Sequence, residues 1–503
     1  MTGLNRTDLP TSHRVQLAAS ALAGQGTYGA VTDLAQTFDV SRPTVYSAAQ
    51  TAEGVLTGHF AASAAGEKSI VINERQLERT IVGLRIVAPD SIRAIENLIP
   101  IVYPGVHVSY GKIQGVLSEA EQRAADFNAG CDLSSIEAGA LDEMFSQGSP
   151  VLAGVDLDSG HLFSLALRDS RSGDDWAEVL ETAKTQGLDL STVVKDAAKG
   201  IARGVSSVFP DAEQRDDCFH AFYRMAKLKQ HLERRGYGAI SREQEAKDKM
   251  EKLRKTGKGN LAQAEEKLNS ARQKCTETLA LHDGFETAMR EVMEAMEFID
   301  LEAGHIRTAQ EMEAAIKSAA DKMILLNHKH CVTEGKYIGN RAAGLALYMN
   351  EMKDELDALA KRYGETAISL ASLVFRLTHD LRIQHRPWDR RRDEQHLLGA
   401  LAMLRDTADG KTPEILGSVK TVIRHRHRAS SAIEGFNAAL RPFLYVHKGV
   451  TQGFLELFRA YHNLKTRRWG RHKGTSAHEC LTGKRVEDWL TLLGYPPTDA
   501  VRN

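Results

Sequence analysis

Cysteine is scarce in this chain, and no two cysteines form a CxxC pair: the five stand at positions 131, 218, 275, 331 and 480. Their odd number and scatter argue against a disulfide frame or a zinc ribbon and fit a reducing cytoplasm. Long apolar runs are missing too; none reaches the roughly 18 residues that a membrane span needs. Met1-Thr-Gly-Leu-Asn-Arg6 lacks the apolar core of a signal peptide, so a cytoplasmic protein is expected. Nor is there a surplus of charge, since the formal net value is −1. Over the whole chain that speaks against nucleic acid as a partner, but the average hides an uneven distribution. Between Thr421 and Thr475 stand eleven Lys or Arg and two acids, and Gln384–Arg392 is a second basic cluster. Acids gather instead in Glu286–Glu313 and Glu351–Asp357. Local basic surface, not the total, sets attraction to phosphate. With 503 residues the chain should hold several domains.

What is present is organised around Ile136 to His220. Ile136–Phe145, Val151–Asp158 and His161–Leu167 are apolar runs separated by Gly-Ser-Pro and Ser-Gly turns, the pattern of hairpin strands. Asp174–Leu180 opens an amphipathic helix with Ser172 and Asp174 as cap candidates. Leu190–Asp196 is a β-branched strand ending in an acid. A helix follows from Gly200 to Phe209, stopped by Pro210, and an extended segment leads to Asp217-Cys-Phe-His220. Asp142 and Asp196 thus fall at strand ends. Carboxylates there chelate hard divalent ions through oxygen; taken singly, each is equally an ordinary strand-end or capping acid.

Upstream, His13–Leu56 reads as helix-turn-helix. Val15–Leu22 is one helix and Tyr28–Phe38 the next, with Thr27 as cap candidate. Asp39-Val40 is the turn, and Ser41 caps a third helix containing Pro43, Thr44, Val45 and Tyr46. The pattern Leu-Ala-x-x-Phe-x-Val-Ser-Arg-x-Thr-Val-Tyr resembles bacterial helix-turn-helix sequences. It puts Ser41, Arg42 and Thr44 at the start of a recognition helix, where base edges and phosphates are reached. Ala61–Glu67 reads as a linker. Glu74–Asn128 is mostly helical and repeats the arrangement of helix, turn and Ser-capped helix, which suits either a second DNA-binding module or a helical brace on the sheet.

Downstream, Ala221 to about Ala429 is helical almost throughout. Glu243–Arg254 and Leu261–Leu281 flank Thr256-Gly-Lys-Gly-Asn260 as an antiparallel hairpin, and helices are expected at 285–299, 309–326, 342–363, 365–383 and 392–406. His328, His330 and Cys331 lack a further ligand pair for a metal. A new helix then carries Glu434, Asn437 and Arg441 at spacings of three and four, on one face. Tyr445–Thr475 interleaves aromatic residues with Lys448, Arg459, Lys465, Arg467, Arg468, Trp469, Arg471 and Lys473, a composition that grips phosphate and stacks on bases. His478–Leu493 is expected as a closing helix.

In order, Leu141-Asp142-Glu143, Lys195-Asp196-Ala-Ala-Lys199-Gly200 and Ser431-Ala-Ile-Glu434-Gly-Phe-Asn437 resemble the DDE transposases of bacterial insertion sequences. Asp217-Cys-Phe-His220 matches the Cys/Asp-x-x-His motif that several such families carry after the second Asp. The resemblance implies a multidomain α plus α/β chain. Its helix-turn-helix modules would occupy 1–58 and 68–130, and an RNase H-like mixed β-sheet catalytic domain 131–220 and 425–480. A large all-α insertion would fill 221–424, with a C-terminal helix and tail at 481–503. It implies that Asp142, Asp196 and Glu434 hold two Mg²⁺ ions, with Mn²⁺ a possible substitute. Glu143, Asp217, His220, Asn437 and Arg441 would be accessory to that site, with Asn437 and Arg441 as phosphate contacts. Ser41, Arg42, Thr44, Lys199, Arg467, Arg468 and Trp469 would touch DNA. The implied activity is binding of a mobile element's terminal inverted repeats, cleavage, and 3′-OH transfer into target DNA. It would be carried out by at least a dimer on double-stranded DNA, in the nucleoid of a bacterial cytoplasm. An RNase H-like nuclease without strand transfer, and a transposase-derived DNA-binding protein without catalysis, stay open on the residues alone.

Overall fold

The computed structural model describes residues 9–64, 72–301, 303–383, 387–446 and 449–497. The chain divides into two compact units, one at its N-terminal end and one spanning Glu74–Pro497. The first contains α1 (Thr11–Ala23), α2 (Ala30–Thr37) and α3 (Arg42–Ala64) around Leu17, Ala21, Val40, Val45 and Ala49. The turn between α2 and α3 is made at Asp39, whose φ is 49°, in the left-handed region that short acidic side chains tolerate. Ser41 precedes α3, and its Oγ accepts the Thr44 N–H at 3.4 Å. Two expectations are corrected here. Gly29, not Thr27, precedes α2, and α3 runs on past position 58 into the expected linker. Linker residues 65–67 lie outside the described residues, as do the domain start at 68, Gln384, Lys448 and the tail from 498.

The larger unit begins with α4 (Glu74–Val87), α5 (Ile92–Val102) and α6 (Tyr110–Ala129). Ser91 and Ser109 cap α5 and α6 by accepting the N–H of the residue three further on. The sheet follows: β1 (Ala138–Ser146), β2 (Ser149–Asp156), β3 (Leu162–Leu167), then α7 (Gly173–Lys184), β4 (Thr192–Lys195), α8 (Lys199–Val208) and β5 (Glu213–Asp216). Its strand order is β3-β2-β1-β4-β5; β1, β2 and β3 pair antiparallel, and β4 lies parallel to both β1 and β5. Strands joined by tight turns can only run antiparallel, whereas the crossovers through α7 and α8 permit parallel pairing. Ser172 caps α7 through a reciprocal box with Asp175. At Gly204 an added Cβ would come within 2.4 Å of Trp176 Cβ, so α8 lies hard against α7.

From Cys218 the chain leaves the sheet in one helix, α9 (Cys218–Thr256), and returns along α10 (Leu261–Ala295). The hairpin expected from sequence is present, but the helix expected at 285–299 is the continuation of α10. A two-stranded ribbon follows, β6 (Ile299–Asp300) and β7 (His305–Ile306), so the insertion is not wholly helical. Then come α11 (Ala309–Leu325), α12 (Lys329–Gly339), α13 (Ala342–Ala346), α14 (Tyr348–Tyr363), α15 (Glu365–Ile383), α16 (Pro387–Thr407) and α17 (Thr412–Arg424). They share a core of Phe285, Val292, Met312, Ile316, Ile338, Tyr348, Leu356 and Ile368. Finally, α18 (Ser431–Val446) and α19 (Gln452–Leu464) return to the sheet, followed by α20 (Ala477–Thr482) and α21 (Trp489–Leu492). The closing helix expected over 478–493 is therefore two short helices, broken at Gly483 with φ 70°.

One core joins Ile81, Ile95, Ile113 and Leu117 of α4–α6 to Ala140, Met144, Val151 and Val155 of the sheet, to Phe436 and Phe458 of α18 and α19, and to Leu490 and Tyr495 near the C-terminal end. By packing, then, α4–α6 brace the sheet rather than stand apart from it, and Leu490, Leu493 and Tyr495 belong to the same core. Among the described residues, no helix is long and apolar enough to cross a membrane.

Candidate active site

In the register of β1 with β4, Leu141 is level with Lys195, and in that of β4 with β5, Lys195 is level with Asp216. The next residue on each of the three chain segments is an acid: Asp142, Asp196 and Asp217. Three acids thus end up side by side along one edge of the parallel half of the sheet.

Asp142 lies within β1, four residues before its end rather than at the strand end expected, and is 8% exposed. Its Oδ1 accepts the Glu143 N–H at 2.8 Å, and its Oδ2 accepts Asn437 Nδ2 at 2.6 Å. Burial pushes its pKa up to about 6 against those two hydrogen bonds and nearby His220, and the charge of Asp196 adds to the rise. Glu434 sits in the first turn of α18, where the helix dipole favours an acid. Carboxylate oxygens of Asp142 and Glu434 and a ring nitrogen of His220 all lie within 4.8 Å of one another. Two of these groups are 292 positions apart in sequence.

His220 is on the first turn of α9. Its Nδ1 lies 2.6 Å from Asp217 Oδ2, and its Nε2 lies 3.8 Å from Glu434 Oε1. The hydrogen bond to Asp217 pushes its pKa up to about 9 against the cost of burial, helped by the charges of Asp217, Asp142 and Asp196. Asp217 itself caps α9 by accepting the Phe219 N–H at 2.8 Å, and its Oδ1 also accepts the Ser430 N–H at 3.1 Å. The Ser430 hydroxyl donates to Oδ2. Burial disfavours the Asp217 charge, yet the bonds from His220 and Ser430 hold its pKa below the usual carboxylate value. The Cys218 N–H meanwhile donates to the Arg428 carbonyl at 3.1 Å. The chain entering the insertion and the chain leaving it are therefore tied together beside His220 and Glu434.

Asp196 is the acid that stands apart. It lies one residue past β4, and its Oδ1 accepts the Ala198 N–H at 2.8 Å, closing a turn into α8. It does not belong to the group whose ligand atoms lie within 4.8 Å of one another, although its charge is felt at both Asp142 and His220.

The accessory candidates are engaged as follows. Asn437 is 1% exposed and donates to Asp142, so it orients that carboxylate. Glu143 follows Asp142 in a strand and therefore faces the other side of the sheet; there it accepts from Arg171 at 2.9 Å and from Trp176 Nε1 at 3.1 Å. Arg467 donates to the carbonyls of Ser159, Thr475 and Ser476, so it staples its loop to the β2–β3 hairpin. Arg468 and Trp469 are exposed, Trp469 by 78%, and Lys199 is exposed at the start of α8. Arg441 is half-exposed, its Nη2 3.7 Å from Glu434 Oε2. In the insertion, His328 Nε2 is engaged by Arg235 at 2.8 Å. Neither Ser430 nor Arg171 belongs to a sequence motif. A short-range pattern contains no signal for a bond that reaches across 213 positions.

Among the described residues, Asp142, His220 and Glu434 have ligand atoms close enough to share one metal ion, a group that does not include Asp196; carboxylate oxygens suit hard divalent cations.

No protein-family model matches the chain, and no curated protein matches it. Among solved structures, one that matches is the Drosophila P element transposase strand transfer complex, with 12% identity and a TM-score of 0.29. The match covers 63% of this chain and 88% of that one. Nothing about residue roles follows at that level of likeness.

Proposed function

We propose that the chain is a DDE transposase: it binds the terminal inverted repeats of a mobile element and carries out Mg²⁺-dependent DNA cleavage and 3′-OH strand transfer. The carrying observation is the return of Glu434, across the whole insertion, to within 4.8 Å of Asp142 and His220. The mixed sheet order, with antiparallel β1–β3 and parallel β4 and β5, is that of an RNase H-like domain and supports the reading. So does the alignment of Asp142 and Asp196 on neighbouring strands.

In this reading Asp142, Asp196 and Glu434 would hold the Mg²⁺. The ions supply a lowered pKa for the attacking oxygen and charge neutralisation for the leaving one. Asn437 fixes the Asp142 carboxylate, and Asp217 fixes His220 at Nδ1, so that Nε2 sits beside Glu434, where it would meet the reacting phosphate. Ser41, Arg42 and Thr44 would read the element's ends, with Arg468, Trp469 and Lys199 gripping backbone and bases. Pairing two ends calls for at least a dimer on DNA.

The test uses end-labelled DNA carrying the repeats that flank the gene, a target plasmid and Mg²⁺. Joining of labelled 3′ ends to the plasmid is the expected result. Cutting without joining would mean a nuclease; binding without cutting would mean a regulator.

A further inference from the structure

On the face of the sheet opposite Asn437 lies an open cleft of about 490 Å³, lined by Glu143, Arg171, Lys199, Gly200 and Asp196. Asp196, whose charge is felt at Asp142 and His220, thus also lines this cleft. We propose that Arg171 is a phosphate-binding residue of the site, that Glu143 is its anchor, and that the DNA strand being processed runs through this cleft past Asp196. The proposal rests on the transposition reading and extends it to the path of the substrate.

Three observations carry it. First, the side chain of Glu143 is 4% exposed and both its oxygens are engaged, Oε2 by Arg171 and Oε1 by Trp176. One oxygen holds Arg171 and the other the Trp176 indole, so this buried carboxylate fixes the arginine against the sheet. Second, the backbone of Arg171 is seated by shape. A Cβ on Gly200 would lie 2.1 Å from the Arg171 carbonyl oxygen, so only glycine lets the loop before α7 rest on α8. Third, the arginine so held is still 60% exposed, with Nη1 on Glu143. A guanidinium carries five donors in a planar fork that matches phosphate, so one carboxylate does not exhaust it. Exposed Lys199, without an ion-pair partner among the described residues, adds a second cation to the same cleft. A cleft with two cations, an internally neutralised acid and a candidate metal ligand at its rim suits a phosphodiester strand, whose charge the cations and the metal would share.

The test measures affinity of the intact chain for a labelled duplex of arbitrary sequence in Ca²⁺, across a salt series. Arg171→Ala is expected to weaken binding roughly tenfold and to make the slope of log affinity against log salt shallower by about 0.9, the value of one phosphate contact. Arg171→Lys should restore the slope but not the full affinity, because it keeps the charge and loses the fork. Gly200→Ala should weaken binding in the same direction with Arg171 still present. Unchanged affinity and slope in Arg171→Ala would overturn the proposal, even if the wild type cuts and joins DNA. If the slope changes as expected but the wild type never cuts DNA in Mg²⁺, the cleft stands and the transposition reading falls.

Discussion

The candidate site has two halves that are held in place by different physics. Asp142 and Asp196 ride on, or one residue beyond, adjacent parallel strands, and the backbone ladder fixes their level. Glu434 and His220 ride on the first turns of two helices that flank the insertion, and buried side chains fix them: Asn437 against Asp142, and Ser430 against Asp217. A ladder shares its load over many hydrogen bonds, each contributing about 1 kcal/mol, and one substitution does not move it. A clasp of two or three buried polar contacts is vulnerable to a single change. The strand-borne half should therefore fail only when its acids are removed, and the helix-borne half also when its supports are.

The largest effect expected is on chemistry. Asp196→Ala should reduce cleavage by roughly a thousandfold or more while end binding persists, since losing charge stabilisation in a transition state costs on that order. Loss of end binding instead would put Asp196 outside the reaction. Asn437→Ala comes next. It strips a buried carboxylate of a donor and should cost about 2–3 kcal/mol in urea denaturation, with a higher Mg²⁺ requirement. An unchanged Mg²⁺ requirement would break the link between α18 and Asp142. Ser430→Ala removes the hydroxyl donor to Asp217 and should cost about 1–2 kcal/mol; Ser430→Thr, which keeps the hydroxyl, should recover part of it.

The pH dependence sharpens the same contrast. In metal-free protein His220 should titrate near 9 by NMR, and Asp217→Asn should bring it down towards 6.5. Because the folded pKa lies above the unfolded one, the stability from this pair is complete below pH 6.5 and is lost as pH rises through 9. Asp142 behaves in the same sense at lower pH. With a folded value of about 6 against 3.8 unfolded, metal-free protein loses stability as pH rises from about 4 through 6. Added Mg²⁺ should remove that loss, as the Tm with and without the ion would report. A wild-type His220 titrating near 6.5 would mean that Asp217 does not hold it. The smallest effect should come from Trp469→Ala: at 78% exposure it should leave Tm unchanged and weaken only binding to unpaired DNA.

Much of the sheet was legible because β1 to β4 are short apolar runs bounded by Gly, Ser and Asp; β5, Glu213-Gln-Arg-Asp216, is polar throughout and reads from sequence only as an extended segment. The helical hairpin was legible from its Gly-Lys-Gly tip and the periodicity of its arms. Boundaries inside the insertion were not, since α10 runs unbroken through His282-Asp-Gly284, a triplet that by its residue types suits a turn. Of the site, Asp142, His220 and Glu434 were picked out as residue types in order. What their neighbours touch depends on which way each side chain faces, which the sequence does not show. Asn437 shares a helical stripe with Glu434 but is buried on Asp142. Glu143 adjoins Asp142 in sequence and faces the opposite side of the sheet. Arg467 stands in a basic run but is taken up by three carbonyls.

By itself the sequence determined the local elements, because turn residues and apolar spacing act over a few positions and need no partner. It also determined which acids were available. Only the tertiary structure decided that Glu434 meets Asp142 and that Ser430 closes on Asp217. Such contacts join positions hundreds of residues apart, and they are selected by how whole faces of helix and sheet bury against one another, which no window of sequence contains.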